Sequence, residues 1–196
     1  IDDVDFDYIA KYLTEKKEEI LKIKPSKGDG YTGLGGDSVT ARHADFNIFN
    51  FEDEEINKLK SNILFLHSQL IQVVGADEFN KYKFDGLYIQ CWYNIMKKGE
   101  RILPHIHDIA SVCYLGGHIT VQCGNTYTGY INPVNQISKP DSYKSKNKVG
   151  KLTLFPNYIP HFTNKHHGNK ERITIAFDLM TRKDHINDNY VSLINN

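Results

Sequence analysis

Three histidines and one arginine have the types and spacing to do chemistry in this sequence. His105 and His107 stand two residues apart in Leu103-Pro104-His105-Ile106-His107-Asp108, and His161 follows at the end of Leu154-Phe155-Pro156-Asn157-Tyr158-Ile159-Pro160-His161. In an extended segment, side chains at i and i+2 share a face, so His105 and His107 project together and Asp108 points away unless a turn redirects it. Imidazole is a good ligand for iron, zinc, copper and nickel. His161 supplies a third group if its strand end lies beside theirs. A three-ligand facial site leaves positions open for substrate or oxygen.

A His-x-His pair alone says little in a chain with nine histidines. Arg172 adds the second signal. It opens an alternating run in which Arg172, Thr174 and Ala176 share one face and Ile173, Ile175 and Phe177 the other. A guanidinium facing a barrel interior is a buried charge that costs several kcal/mol unless an anion meets it. A carboxylate does so bidentately. No acidic residue is an obvious mate, so a small-molecule carboxylate is the expected partner. The other histidines, His43, His67, His118, His166, His167 and His185, read as packing or surface residues.

The elements that must position these groups follow from periodicity. Residues 5–22 read as a helix with Phe6, Ile9, Leu13, Ile20 and Leu21 near one stripe. Residues 25–38 form a glycine-rich loop with no Gly-Lys-Ser/Thr to close a phosphate cradle, so a connector or a loop bordering a site is expected. Residues 44–51 alternate like a short strand. Asp53 caps a second helix with Ile56, Leu59, Ile63, Leu66, Leu70 and Val73 on its apolar stripe, ending near Gly75. Beyond Gly86 the period becomes two. Strands are predicted at 87–95, 110–115, 119–123, 127–130, 151–155 and 172–179, with turn signals between them that include Gly116-Gly117. The lysine-rich stretch 138–151 reads as a solvated loop and the tail 183–196 as a short amphipathic or frayed segment.

Bulk properties narrow the function class. The chain has 196 residues, 40% hydrophobic and 24% charged, with zero formal net charge. One domain is expected: a helical part over 1–84, a strand core over 85–180 and a tail over 181–196. A neutral chain sets up no global field for nucleic acid or membrane. No secretory signal and no bilayer-spanning apolar run is found. Cys91, Cys113 and Cys123 fit no disulfide framework and read as buried reduced thiols of a cytoplasmic protein.

One set of ordered motifs resembles a known family. Cys91-Trp92-Tyr93-Asn94-Ile95, Lys98-Gly99, Pro104-His105-Ile106-His107, Ser111-Val112-Cys113-Tyr114-Leu115, Gly150-Lys151-Leu152-Thr153-Leu154-Phe155-Pro156, His161 and Glu171-Arg172-Ile173-Thr174-Ile175-Ala176-Phe177 are similar to the Fe(II)- and 2-oxoglutarate-dependent oxygenases, in particular the branch with a His-x-His motif. The resemblance covers roughly 87–179. It implies a mostly β double-stranded β-helix (jelly roll, cupin-like) with N-terminal helices. It implies Fe(II), 2-oxoglutarate as co-substrate and O2, and hydroxylation of a peptidyl or small-molecule substrate. His161 matches the distal iron histidine, Arg172 the residue that pairs with the far carboxylate of 2-oxoglutarate, and Thr174 its helper. Tyr93 and Asn94 lie on a strand that commonly adds a co-substrate contact; they face opposite ways, so at most one does so.

The chain departs from the family at the proximal ligands, where His-x-Asp or His-x-Glu is usual. Three arrangements stay open: an all-histidine set of His105, His107 and His161; Asp108 in place of His107; or two protein ligands only. Two other classes compete. A cupin-type metalloenzyme without 2-oxoglutarate uses the histidines but leaves Arg172 unexplained. A non-catalytic jelly-roll binding module leaves the whole motif set to chance. Neither substrate nor oligomeric state is set by the sequence.

Overall fold

The computed structural model describes residues 1–74, 86–107, 113–134, 141–181 and 189–194. Among these residues two helices, α1 (Phe6–Leu21) and α2 (Glu54–Val74), precede eight strands. These are β1 (Tyr88–Met96), β2 (Cys113–Gln122), β3 (Tyr127–Ile131), β4 (Ser142–Lys146), β5 (Leu152–Pro156), β6 (His161–Thr163), β7 (Arg172–Met180) and β8 (Val191–Ser192). They form a five-stranded sheet in the order β5-β2-β7-β1-β8 and a three-stranded sheet in the order β4-β3-β6.

The central strand is β7. It pairs antiparallel with β1 on one side and β2 on the other, and all nine of its residues are buried. Strand alternation then divides it. Ile173, Ile175, Phe177 and Leu179 enter the hydrophobic core. Arg172, Thr174, Ala176 and Asp178 face a cavity instead. The smaller sheet contributes Thr128, His161 and Thr163 to that cavity, which therefore lies between the two sheets.

The helices seal the opposite face. In α1, Asp5 accepts a hydrogen bond from the Tyr8 amide at 2.9 Å, and Ile9 and Leu13 are fully buried. In α2, Asp53 accepts from the Ile56 amide at 3.0 Å, and Ile56, Leu59 and Ile63 join the same core. The stripe fades beyond them: Leu70 is half-buried and Val73 is exposed.

Four expectations give way. Residues 44–51 are not a strand; short 3-10 turns run over Val39–Arg42 and Ile48–Asn50. The Asn47 side chain caps the second by accepting from the Phe49 amide, and its amide group donates to the carbonyls of Ile89 and Asn189. Part of the lysine-rich loop is strand β4, and Val191–Ser192 of the tail pairs with the Tyr88–Ile89 end of β1. The most consequential correction concerns Gly116-Gly117. It is no turn but the middle of β2, one strand where two were expected. A Cβ on Gly117 would lie 2.2 Å from the Phe177 ring and 2.8 Å from the Thr153 carbonyl oxygen, so close packing demands the glycine.

Gly117→Ala forces both neighbours to move, and overpacking of this kind costs about 1–3 kcal/mol. Urea denaturation is expected to show a lower midpoint with an unchanged slope.

Candidate functional site

The cavity holds about 370 Å³. The segment entering it, residues 102–107, runs beside β6. His105 and His161 exchange backbone hydrogen bonds at 3.1 and 2.9 Å, an isolated antiparallel bridge. The Thr163 amide donates to the Ile102 carbonyl at 3.0 Å, and the His107 amide to the Asn157 carbonyl at 3.2 Å. This pairing places the downstream histidine opposite the His-x-His pair. Because the segment is extended, His105 and His107 share the face that meets it.

One ring nitrogen from each of His105, His107 and His161 lies within 4.8 Å of the other two. Each Nδ1 has an oxygen to donate to: His105 the Leu103 carbonyl at 2.9 Å, His161 the Ile159 carbonyl at 3.1 Å, and His107 the Asp178 carboxylate at 2.5 Å. With Nδ1–H so engaged, the tautomer is set and every Nε2 keeps its lone pair for a metal. Burial, with His107 beside it, pulls the His105 imidazole down to about 4. The same two causes hold His161 well below its usual value. Neutral imidazole is the ligating form, so His105 and His161 are ready at neutral pH. An all-nitrogen set of this kind fits a divalent transition metal.

The far end of the cavity is organised by Arg172, the largest fully buried side chain among the described residues, 1% exposed. Among the described residues no carboxylate meets it. One guanidinium nitrogen donates to the Met96 sulfur at 3.4 Å, and Nε has no partner. Burial pulls its pKa down to about 10, which corresponds to roughly 3 kcal/mol against the charged form. The hydroxyls of Thr174 and Thr120 are also buried without partners. Thr174 is flanked across the sheet by Asn94 on β1 and Thr120 on β2. A row of unmet polar groups beside an unmet cation fits a carboxylate-bearing ligand.

The predicted residues fall as follows. His105, His107, His161, Arg172, Thr174 and Asn94 all line the cavity. Asn94 faces inward and accepts from the Thr40 hydroxyl at 2.7 Å. Tyr93 points the other way into the core and stacks edge-on against Phe46, since neighbouring strand residues face opposite sides. Asp108, Ser111 and Val112 lie outside the described residues.

Sequence reasoning passed over four further residues. His43 and His118, read as packing or surface, line the cavity wall. His118 bonds the Tyr130 hydroxyl at 2.6 Å, and burial followed by the charge of Arg172 lowers it to about 3. Asp178 went unremarked, although counting onward in twos from Arg172 reaches it. Gly116, read as part of a turn, owes its place instead to His107, a neighbour across the fold. The glycine-rich loop borders the cavity through Lys27, Asp29, Gly30, Tyr31 and Thr32.

Residues 90–178, a little under half of the chain, match the profile of a family described as "Putative 2OG-Fe(II) oxygenase". Comparison with curated proteins gave no match. Among solved structures, a Pseudomonas putida prolyl-4-hydroxylase superposes with a TM-score of 0.50 at 11% identity, covering 67% of this chain and 68% of that one. That likeness shows the shared jelly-roll fold. A 2OG-Fe(II) oxygenase-family oxidoreductase from Burkholderia pseudomallei gives 0.41 at 17% identity, covering 51% and 47% of the two chains. The chain thus spans about half the length of that protein. An oxalate oxidase gives 0.37 at 15% identity, covering 47% and 45%.

Two outcomes are expected from the site alone. Replacing Arg172 with Met removes an unmet buried charge, so the metal-free protein is expected to melt a few degrees higher, as a gain of 1–2 kcal/mol gives in a chain of this size. Calorimetry without added ligand checks this. His105, His118 and His161 hold fewer protons folded than unfolded, where their values return to about 6.5. Their contribution is therefore complete above pH ~6.5 and is lost as pH falls through that value toward 4. Urea midpoints of the metal-free protein at pH 7.5, 6 and 5 should fall in that order.

Proposed function

We propose that this protein, whose residues 90–178 match the family described as "Putative 2OG-Fe(II) oxygenase", is a non-haem Fe(II)- and 2-oxoglutarate-dependent dioxygenase that hydroxylates a peptidyl or small-molecule substrate. The observation that carries the reading is Arg172: a fully buried guanidinium without a carboxylate among the described residues, in the same cavity as three converging histidines. Bound Fe(II) with 2-oxoglutarate and O2 supplies the oxidising power for C–H hydroxylation, chemistry that side chains alone lack.

The chain's own residues do the rest. His105, His107 and His161 present Nε2 to the metal, each steadied through its Nδ1. Arg172 receives the distal carboxylate of the co-substrate, and Thr174 donates its unmet hydroxyl beside it. Asn94 is held by Thr40 on the neighbouring wall, where it contacts the same ligand. Enclosure between two sheets keeps water from the reacting atoms. The mouth takes the substrate, with the Lys27–Thr32 stretch of the glycine-rich loop on one side. No described helix is long and apolar enough to cross a membrane. Three cysteines without paired spacing support a reducing, cytoplasmic setting.

Purified protein with Fe(II), O2 and 2-oxoglutarate is expected to release succinate, even slowly without the prime substrate. Arg172→Met should bind metal normally and lose at least a hundredfold in 2-oxoglutarate affinity, measured by titration calorimetry under anaerobic conditions. Unchanged affinity in that variant overturns the role of Arg172. Metal binding with no 2-oxoglutarate binding by the parent protein would instead favour a cupin-type metalloenzyme.

A further inference from the structure

The three histidines are not supported alike. His105 and His161 each donate Nδ1–H to a backbone carbonyl two residues earlier, of Leu103 and Ile159. Such acceptors are neutral and come with the chain's own path. His107 alone donates to a charged side chain, the Asp178 carboxylate, 71 residues away in sequence and 2.5 Å away in space. Both partners are buried, at 8% and 6% exposure. His107 also stands where the family's ligand set usually has a carboxylate.

The surroundings are cut to admit this contact. Asp178 on β7 lies between Gln90 on β1 and Gly116 on β2 in the sheet register. Gln90 is turned aside, donating to the carbonyls of His43 and Phe46 at 2.7 and 2.6 Å. Gly116 leaves the gap: a Cβ there would stand 2.7 Å from His107 Nδ1 and 3.3 Å from its Cε1. Any other residue at 116 would drive the imidazole off the carboxylate. Burying a carboxylate for a single side-chain hydrogen bond does not repay its desolvation. An apolar residue would hold β7 at least as well, so fold stability does not account for Asp178.

We propose that Asp178 is a positioning residue for the metal. It holds His107 with Nε2 aimed into the cavity, and it returns, one hydrogen bond behind the ligand shell, the negative charge that an all-histidine set lacks. A carboxylate behind an imidazole raises the basicity of the ligating nitrogen and fixes the ring, as outer-shell acceptors do at other metal centres. The inference rests on the metal site described above. It adds that the His-x-His departure is compensated from β7, the strand that also bears Arg172.

Anaerobic titration of the full chain with Co(II), against a competing chelator, tests it. The parent protein is expected to bind one ion. Asp178→Ala should bind about 10- to 100-fold more weakly. Asp178→Asn keeps an acceptor for Nδ1–H while losing the charge, so its affinity should fall between the two. Its Fe(II)–2-oxoglutarate charge-transfer absorption should also shift, with the metal-free melting temperature unmoved. Parental affinity in Asp178→Ala, or parental affinity and absorption in Asp178→Asn if the alanine variant does not fold, overturns the inference and leaves the metal site standing. A loss in Asp178→Ala as complete as in His161→Ala would make Asp178 a direct ligand and overturn it too. Failure of the parent protein to bind any ion removes the oxygenase reading and this inference together.

Discussion

A positive charge inside the sheet governs how this molecule is built. Arg172 sits on the central strand, between β1 and β2, and the sole described acceptor for its guanidinium is a thioether. Such a group is unfavourable in the protein alone and favourable only once an anion arrives. The strain is offset elsewhere, by the packed outer face of the same strand. There Ile173, Ile175, Phe177 and Leu179 share one core cluster with α1 and α2 residues such as Ile9, Leu13, Ile56 and Leu59. One face of β7 thus stabilises the fold, and the other spends part of that stability on a ligand site.

The same alternation distributes the chemistry by depth. Reading β7 in twos, Arg172 and Thr174 face one end of the cavity, Ala176 leaves room beside Trp92 and His118, and Asp178 reaches His107 at the other. Cross-strand neighbours serve each level, with Asn94 and Thr120 flanking Thr174, and Gly116 opening space at Asp178. Burial favours the neutral form of His105, His118 and His161, so the histidine end offers lone pairs rather than positive charge. The cavity then has opposite characters at its two ends: ligating nitrogens at one and an anion receptor at the other.

The first third of the chain has a role beyond covering the sheet. Arg42 is buried and donates to the carbonyls of Leu21, Ile23, Gly36 and Ser38, tying the end of α1 to the glycine-rich loop. Asp29 gathers the loop from within, accepting from the amides of Tyr31 and Gly35. These backbone contacts lower its pKa despite burial, which acts the other way. Leu103, just ahead of the histidine pair, donates its amide to the Thr32 carbonyl at 2.8 Å. The loop and the His105–His107 segment are thereby joined, which accounts for the loop's place beside the cavity.

Sequence alone determined what depends on local periodicity and residue type. Both helices, most strands, the His105–His107 pair, and the inward set of Arg172 and Thr174 follow from periods of 3.6 and 2 and from the cost of burying a charge. Tyr93 and Asn94 were separable in facing but not in destination, because alternation sets opposite faces without saying which is the cavity. Tertiary structure decided the rest. Gly116-Gly117 has the composition of a turn, yet it lies mid-strand because Phe177 and His107 occupy the space side chains would fill. His118 and His43 resemble incidental histidines until sheet pairing and loop packing bring them to the cavity. Asp178 is an unremarkable aspartate near the end of an apolar strand until β7 sets it against a histidine 71 residues earlier. Contacts of that kind belong to the register of strands distant in sequence, and no local pattern encodes that register.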